Sequence, residues 1–235
     1  MTALVTPSLR PVHAAGASGL RGVSVIIPAW ADRPRLRRVL WSLRVTADLP
    51  YEPIVARAEQ CVAKNRNAGL DRAACDLVAF LDDDVLLPAG WMSGLAAVIA
   101  THPDVGAASA MFRFPDGCPQ SRRPDLPAGE LWDVLPPGTC FLYSRARVDD
   151  QRFDEAYAGS QWEDTDWMWR VRARGLRTVA VGGIDVAHEH VQLNSGFLLE
   201  NMRRFHTAWG RLPAPDETYA IEPQAYQAWR PPPLP

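Results

Sequence analysis

What this 235-residue chain lacks narrows the field first. Its four cysteines, Cys61, Cys75, Cys118 and Cys140, form no CxxC pair. That spacing excludes a zinc knuckle and a disulfide scaffold, and it points to a reducing compartment. Neither sign of charge is in excess, since 25 basic side chains stand against 27 acidic ones. No basic surface for nucleic acid is therefore expected. No apolar run reaches the length of a transmembrane segment, and residues 1–22 carry no continuous apolar stretch of the kind a signal peptide needs. There is no internal repeat. The absences leave a soluble, cytoplasmic protein, long enough to bury one α/β core.

What is present alternates between strand and helix patterns. Residues 23–27 are a β-branched run ending at Pro28, the pattern of a buried strand. Leu36, Val39, Leu40 and Leu43 then fall at helical spacing. A short strand is expected over 53–56, a helix with a weak point at Gly69 over 63–74, a strand covered on both faces over 77–81, and a helix over 91–100. This alternation predicts an α/β fold with a doubly wound, mainly parallel (mixed) sheet flanked by helices and right-handed crossovers. The Pro- and Gly-rich middle, 107–145, holds two strands, near 107–114 and 138–143. A helix over 163–174 has acids in its first turn, arginines in its last and Gly175 beyond it. Strands over 178–181 and 184–188 follow. Leu198, Met202, Phe205 and Trp209 then share one face of a helix stopped by Gly210 and Pro213. The expected organisation is a flexible N-terminus over 1–22, one domain over 23–210 and a Pro-rich tail over 211–235, extended and draped or disordered.

Three segments carry chemistry. Asp82, Asp83 and Asp84 follow the third strand, and ligands of open α/β sheets bind beyond the carboxyl ends of strands. If the chain stays extended, Asp82 and Asp84 point to one side. Two oxygen donors on one side suit Mg2+ or Mn2+, which also take phosphate oxygens and water. The plain alternative is an exposed acidic turn, and the buried strand in front weighs against it. On the helix that follows Trp162, Asp164 shares a face with Trp167, Met168 and Val171 and is drawn inward. Glu163 suits the ordinary role of complementing the helix dipole. In the last strand Ile184, Val186, His188 and His190 share a face. A lone imidazole there is most often a hydrogen-bonded core residue, and it gains meaning only beside the aspartates.

In this order the segments resemble the family 2 glycosyltransferases of GT-A fold, from about residue 23 to 209. Residues 23–28 look like the family's first strand, and Lys64-Asn-Arg-Asn-Ala-Gly69 resembles its "ARNxG" helix start. Phe80-Leu-Asp-Asp-Asp84 resembles its DxD-type motif. Gly138–Tyr143, Arg152-Phe-Asp-Glu155 and Trp162-Glu-Asp164 look like its acceptor-side strand, "FDE" turn and "ED" motif, and Arg204–Gly210 like its closing "KWG". Metal-dependent galactofuranosyl- and rhamnosyltransferases stand nearest, with no choice between them.

The resemblance implies an inverting transfer from a nucleotide-sugar donor, of UDP type, to the hydroxyl of a small-molecule, glycan or natural-product acceptor. It implies Mn2+ or Mg2+ as cofactor, with Asp84 and His188 as ligands, and Asp164 as general base. Pro28, Asp83, Asp82 at the ribose or nucleoside, and Arg66 at phosphate or base would form the donor side. One departure stands out: residues 54–60 lack the acidic stretch whose first Asp reads uracil in the family. Either Glu59, the only carboxylate between Glu52 and Asp71, swings in to meet the base, or the pocket is loose and Glu59 faces solvent. That departure also keeps open an inactive nucleotide-sugar-binding module. A nucleotidyltransferase would want a Gly-rich basic loop after the first strand, which Pro28-Ala-Trp-Ala-Asp32 is not. Trp132 and Trp162 could stack on a sugar or simply pack.

Overall fold

A computed structural model describes residues 22–30, 34–57, 59–189 and 196–219. Eight strands form one mixed sheet: β1 (Val23–Pro28), β2 (Tyr51–Ala56), β3 (Leu77–Leu81), β4 (Val85–Leu86), β5 (Val105–Arg113), β6 (Leu131–Asp133), β7 (Cys140–Ser144) and β8 (Arg177–His188). Five helices accompany them: α1 (Pro34–Thr46), α2 (Val62–Leu70), α3 (Trp91–Thr101), α4 (Glu163–Ala173) and α5 (Leu198–Trp209). The strand order is β2-β1-β3-β7-β5-β8-β4, with β6 also on β8. β1 lies parallel between β2 and β3, and β7 enters antiparallel between β3 and β5. The expected α/β mixed sheet flanked by helices is the observed one.

The two-residue side-chain period of the strands builds two cores. Val23, Val25, Ile27, Ala79 and Leu81 face the side that packs Leu36, Val39 and Leu43 of α1 and Trp91 and Leu95 of α3. Ile26, Val78 and Phe80 face the other side, with Trp167, Met168 and Val171 of α4 and Leu70 of α2. Each fully buried aliphatic or aromatic side chain of this kind contributes roughly 1.5–3 kcal/mol. Gly69, a weak point on propensity, lets α2 pack closely on β1. A Cβ there would sit 2.3 Å from Cγ2 of Ile26.

Three local features depart from the sequence pattern. The two expected strands after α4 are one strand, β8, which changes edge partner midway. Its first half pairs β6 and its end pairs β4. Ser109 of β5 faces Ala180 while Met111 faces Asp185, so residues 181–184 bulge, and Gly183 there has φ +84°. A glycine pair permits this bend, which reads in sequence as a break. Helix α2 stops at Leu70 rather than at 74. The short strands β4 and β6 have no pattern of their own and exist only as partners of β8.

Beyond α5 the described part of the tail is docked. A single 3₁₀ turn, Pro215–Glu217, leads to Tyr219, which is buried, and the Phe112 amide donates to its hydroxyl at 2.6 Å. The calls on residues 1–21 and 220–235 lie outside the described residues, as does His190. All four cysteines are free thiols. Among the described residues no helix is long and apolar enough to cross a membrane.

Candidate active site

Strand ends bring the aspartates and the histidine together. Asp82 stands one residue past β3, and its amide donates to the Thr139 carbonyl at 2.9 Å just before β7. Asp84 precedes β4, whose antiparallel pairing sets Val85 opposite His188 at the end of β8. The Glu189 amide then donates to the Asp84 carbonyl at 2.9 Å. As a result one ligand atom each from Asp82, Asp84 and His188 lies within 4.8 Å of the others. Asp83, half-buried, stands between the two carboxylates.

The donor set fits a hard divalent cation. Gln120 fixes the imidazole: its Nε2 donates to the His188 carbonyl at 3.0 Å, so its Oε1 is the partner of His188 Nδ1, also at 3.0 Å. With the proton on Nδ1, the Nε2 lone pair is turned to the carboxylates, where Asp84 Oδ1 lies 3.4 Å away. Burial pushes the Asp82 carboxyl up to about 6, against the Arg66 charge; the charge of Asp84 pushes the same way as burial. A cation between these groups would relieve that repulsion.

Arg66 lies beneath the cluster at 2 % exposure. Its Nη2 donates to Asp82 Oδ1 at 3.2 Å and to the Gly138 carbonyl at 3.0 Å, and its Nη1 donates to Glu163 Oε1 at 2.9 Å. The guanidinium also packs over Phe153, 5.1 Å from the ring centre. The side chain that resemblance placed at phosphate or base thus braces three parts of the site from below. Glu163 departs from its expected dipole role for the same reason. It is buried against Arg66, and desolvation, with Asp164 beside it, pushes its carboxyl up to about 8 while Arg66 opposes.

Asp164 is held at both oxygens. The Gly138 amide donates to Oδ2 and the Thr165 amide to Oδ1, each at 2.7 Å. Gly138 must be glycine for reasons of space: a Cβ would lie 2.7 Å from Asp164 Cβ and 2.9 Å from Arg66 Nη2. Ahead of the helix, Gln161 and Trp162 take φ of 82° and 73°, an uncommon pair for residues with side chains. Asn201 of α5, 1 % exposed, clamps that turn. Its Nδ2 donates to the carbonyls of Ala158 and Gln161 at 2.9 Å, and its Oδ1 accepts from the Ala158 amide at 3.1 Å.

Other expected site residues are less central. Pro28 ends β1, buried, with the next amide donating to Ala56. Glu59 has a 55 % exposed side chain and accepts from Lys64 Nζ at 2.6 Å. Trp162 packs on Phe205 at 5.1 Å between ring centres, and Trp132 on Tyr219 at 5.6 Å. Gln120 and Asn201 carried no signal in the sequence, because each acts across 68 or 40 and more residues. Asn67 was visible inside the helix-start motif, and its Oδ1 and Nδ2 hold the Phe153 backbone at 2.9 and 3.0 Å.

Comparison with known proteins gives this arrangement its class. Residues 54–154 match the family described as Glycosyl transferase family 2. The fold matches the crystal structure of GalNAc-T7 with UDP, GalNAc and Mn2+ at TM-score 0.63 and 14% identity, over 80% of this chain and 48% of that one. It matches residues 1–349 of TarS from S. aureus at 0.59 and 18% identity, over 80% and 65% of the two chains. It also matches the mannosyltransferase PcManGT from Pyrobaculum calidifontis in complex with GDP-Man and Mn2+, at 0.59 and 16%, over 83% and 66%. The chain therefore spans about half to two thirds of these relatives' lengths. No curated protein sequence matches it. The fold is that of the GT-A glycosyltransferases. The motif order read in the sequence resembles that of the family 2 glycosyltransferases, and the family match falls across the Arg66, Asp82 and Asp84 segment.

Proposed function

We propose that this protein is an inverting, divalent-metal-dependent glycosyltransferase. It would take a sugar from a nucleoside diphosphate donor, of UDP type, and pass it to an acceptor hydroxyl. The observation that carries the reading is the meeting of Asp82, Asp84 and His188 within 4.8 Å at the strand ends, beside a braced Asp164. Mn2+ accompanies UDP in the GalNAc-T7 structure and GDP-Man in the PcManGT structure, which supports a metal-assisted donor site here.

Asp84 and His188 would hold Mn2+ or Mg2+, with Asp82 at the same opening toward the ribose. A bound divalent ion supplies charge that offsets the diphosphate as it leaves. Asp164 takes the proton from the acceptor hydroxyl, a role worth about 10²–10⁴ in rate. As that O–H bond breaks, the acceptor oxygen bonds to the anomeric carbon and the bond from that carbon to the donor phosphate breaks. Attack from the face opposite the departing diphosphate inverts the centre. Fixed backbone donors at both Asp164 oxygens keep the carboxylate oriented. Arg66 and Glu163 act as positioning residues beneath it. Pro28, Asp83 and Glu59 complete the donor side, with Glu59 leaving Lys64 to meet the base edge.

The test is incubation with labelled uridine and guanosine diphosphate sugars in Mn2+, with and without EDTA. Sugar release or transfer in Mn2+ that stops in EDTA is the expected result. Tight nucleotide binding with no turnover on any donor would replace the enzyme with a binding module.

A further inference from the structure

His188 enters the candidate site from the last residue of β8, with its side chain 11 % exposed. Beside it runs the return of a tight hairpin after β5. The Phe114 amide closes that hairpin on the Cys118 carbonyl at 2.8 Å, and Arg113 pairs with Pro119. Gln120 lies on this return, and its own amide donates to the Phe112 carbonyl at 3.0 Å. Two residues on, the Arg122 amide donates to the Tyr219 carbonyl at 3.0 Å, while the Tyr219 hydroxyl accepts from the Phe112 amide. The backbone that carries Gln120 is thus held by β5 and by the segment after α5. The Phe112 ring stands edge-on to the imidazole, with 6.1 Å between centres.

The Gln120 side chain meets its neighbour at two points. Its Nε2 donates to the His188 carbonyl, which can only accept, and its Oε1 faces His188 Nδ1, each at 3.0 Å. A reversed amide would set oxygen against oxygen at that carbonyl. A carboxylate could accept from Nδ1 but could not also donate to the main chain, so the pair of contacts calls for an amide. We propose that Gln120 is the positioning residue of the metal centre: it keeps the proton on Nδ1 and so commits His188 Nε2 to a divalent cation shared with Asp84. The inference rests on the metal-dependent reading above. Without Gln120 a neutral imidazole can carry its proton on Nε2, where it blocks the ligand atom and turns toward Asp84 Oδ1, 3.4 Å away. The cation must then select the ligating tautomer itself, and outer partners of this kind are worth about 10–100-fold in metal affinity.

Two measurements on the full chain test it, neither of which needs turnover. Long-range proton–nitrogen correlation spectra, recorded metal-free at about pH 8 where an imidazole is neutral, report which ring nitrogen carries the proton. His188 is assigned by the signal that His188→Gln removes. Wild type should show the proton on Nδ1, and Gln120→Met, which keeps the length and removes both polar atoms, should move it at least in part to Nε2. Titration with Mn2+, followed by the electron spin resonance of the free ion, should give Gln120→Met about tenfold weaker binding or worse. Gln120→Glu keeps an acceptor for Nδ1, so it should hold the wild-type tautomer and bind Mn2+ within about threefold of wild type. A wild-type proton on Nε2, equal Mn2+ affinity in Gln120→Met, or a Gln120→Glu loss as large as that of Gln120→Met would each overturn the proposal. The wild-type tautomer and Gln120→Glu decide even where Gln120→Met melts early. Wild type that binds no Mn2+, alone or with uridine diphosphate, would overturn the metal-dependent reading itself and this inference with it.

Discussion

Arg66 commits both terminal nitrogens inside the protein, and the balance of charge around it decides what substitutions cost. Glu163→Ala would leave a buried guanidinium without its closest buried partner, and breaking a buried pair in this way costs about 3–5 kcal/mol. Glu163→Gln keeps an oxygen for Arg66 Nη1 and removes a charge that burial and Asp164 oppose, so it should cost far less. Urea unfolding of the two variants measures the gap, and equal losses would contradict the pairing described. At Asp164 the expected split lies in kinetics. If Asp164 takes the acceptor proton as proposed, Asp164→Asn should lower turnover at least about a hundredfold while leaving Mn2+-dependent nucleotide affinity intact. Calorimetry beside initial rates separates the two. Asp84, Asp164 and His188 could be singled out in the sequence because carboxylates and imidazoles are few among apolar runs. Burial of Glu163 could not, because an acid in a helix's first turn has a common and sufficient explanation.

Elements matter here through how closely they approach. Gly138 lets the chain leading into β7 pass beside α4, so Gly138→Ala should push Asp164 and Arg66 apart by overpacking. A loss of about 1–3 kcal/mol in stability and a fall in turnover at least as large as that of a remote buried substitution are expected. The position has no positive φ, so the effect would come from space alone. A crystal structure of the variant with Asp164 unmoved would contradict it. The β-α-β alternation through β3 was legible because buried parallel strands are continuous apolar runs. β4 and β6, with two and three residues, were not. Their strand character comes from pairing with β8, and pairing has no local signature. The bulge in β8 was visible as a glycine pair and read as a gap between strands.

Across the described molecule, the docked segment after α5 ties residues 217–219 to β5 and to the loop after β6. Arg211 donates to Glu217 at 2.6 and 2.8 Å, and these bonds, with the Ala214 amide, hold the Glu217 carboxyl down at about 2. A depressed carboxylate contributes stability above its unfolded value of 4.5, and that contribution is lost as pH falls from 4.5 toward 2. Wild type should therefore lose melting temperature more steeply over that window than Glu217→Gln, and parallel melting curves would contradict the clasp. The amino-acid sequence by itself determined which strands are buried, which residue types can hold a cation or move a proton, and the order of motifs that resembles the family 2 glycosyltransferases. Those properties follow from composition and from periods of two and 3.6 residues, which are local. Only the tertiary structure decided that Asp82, Asp84 and His188 converge and that Gln120 sets the imidazole's tautomer. It also decided that Arg66 lies below the site. Each of these depends on which strand lies beside which, and that is set by packing between residues far apart in the chain.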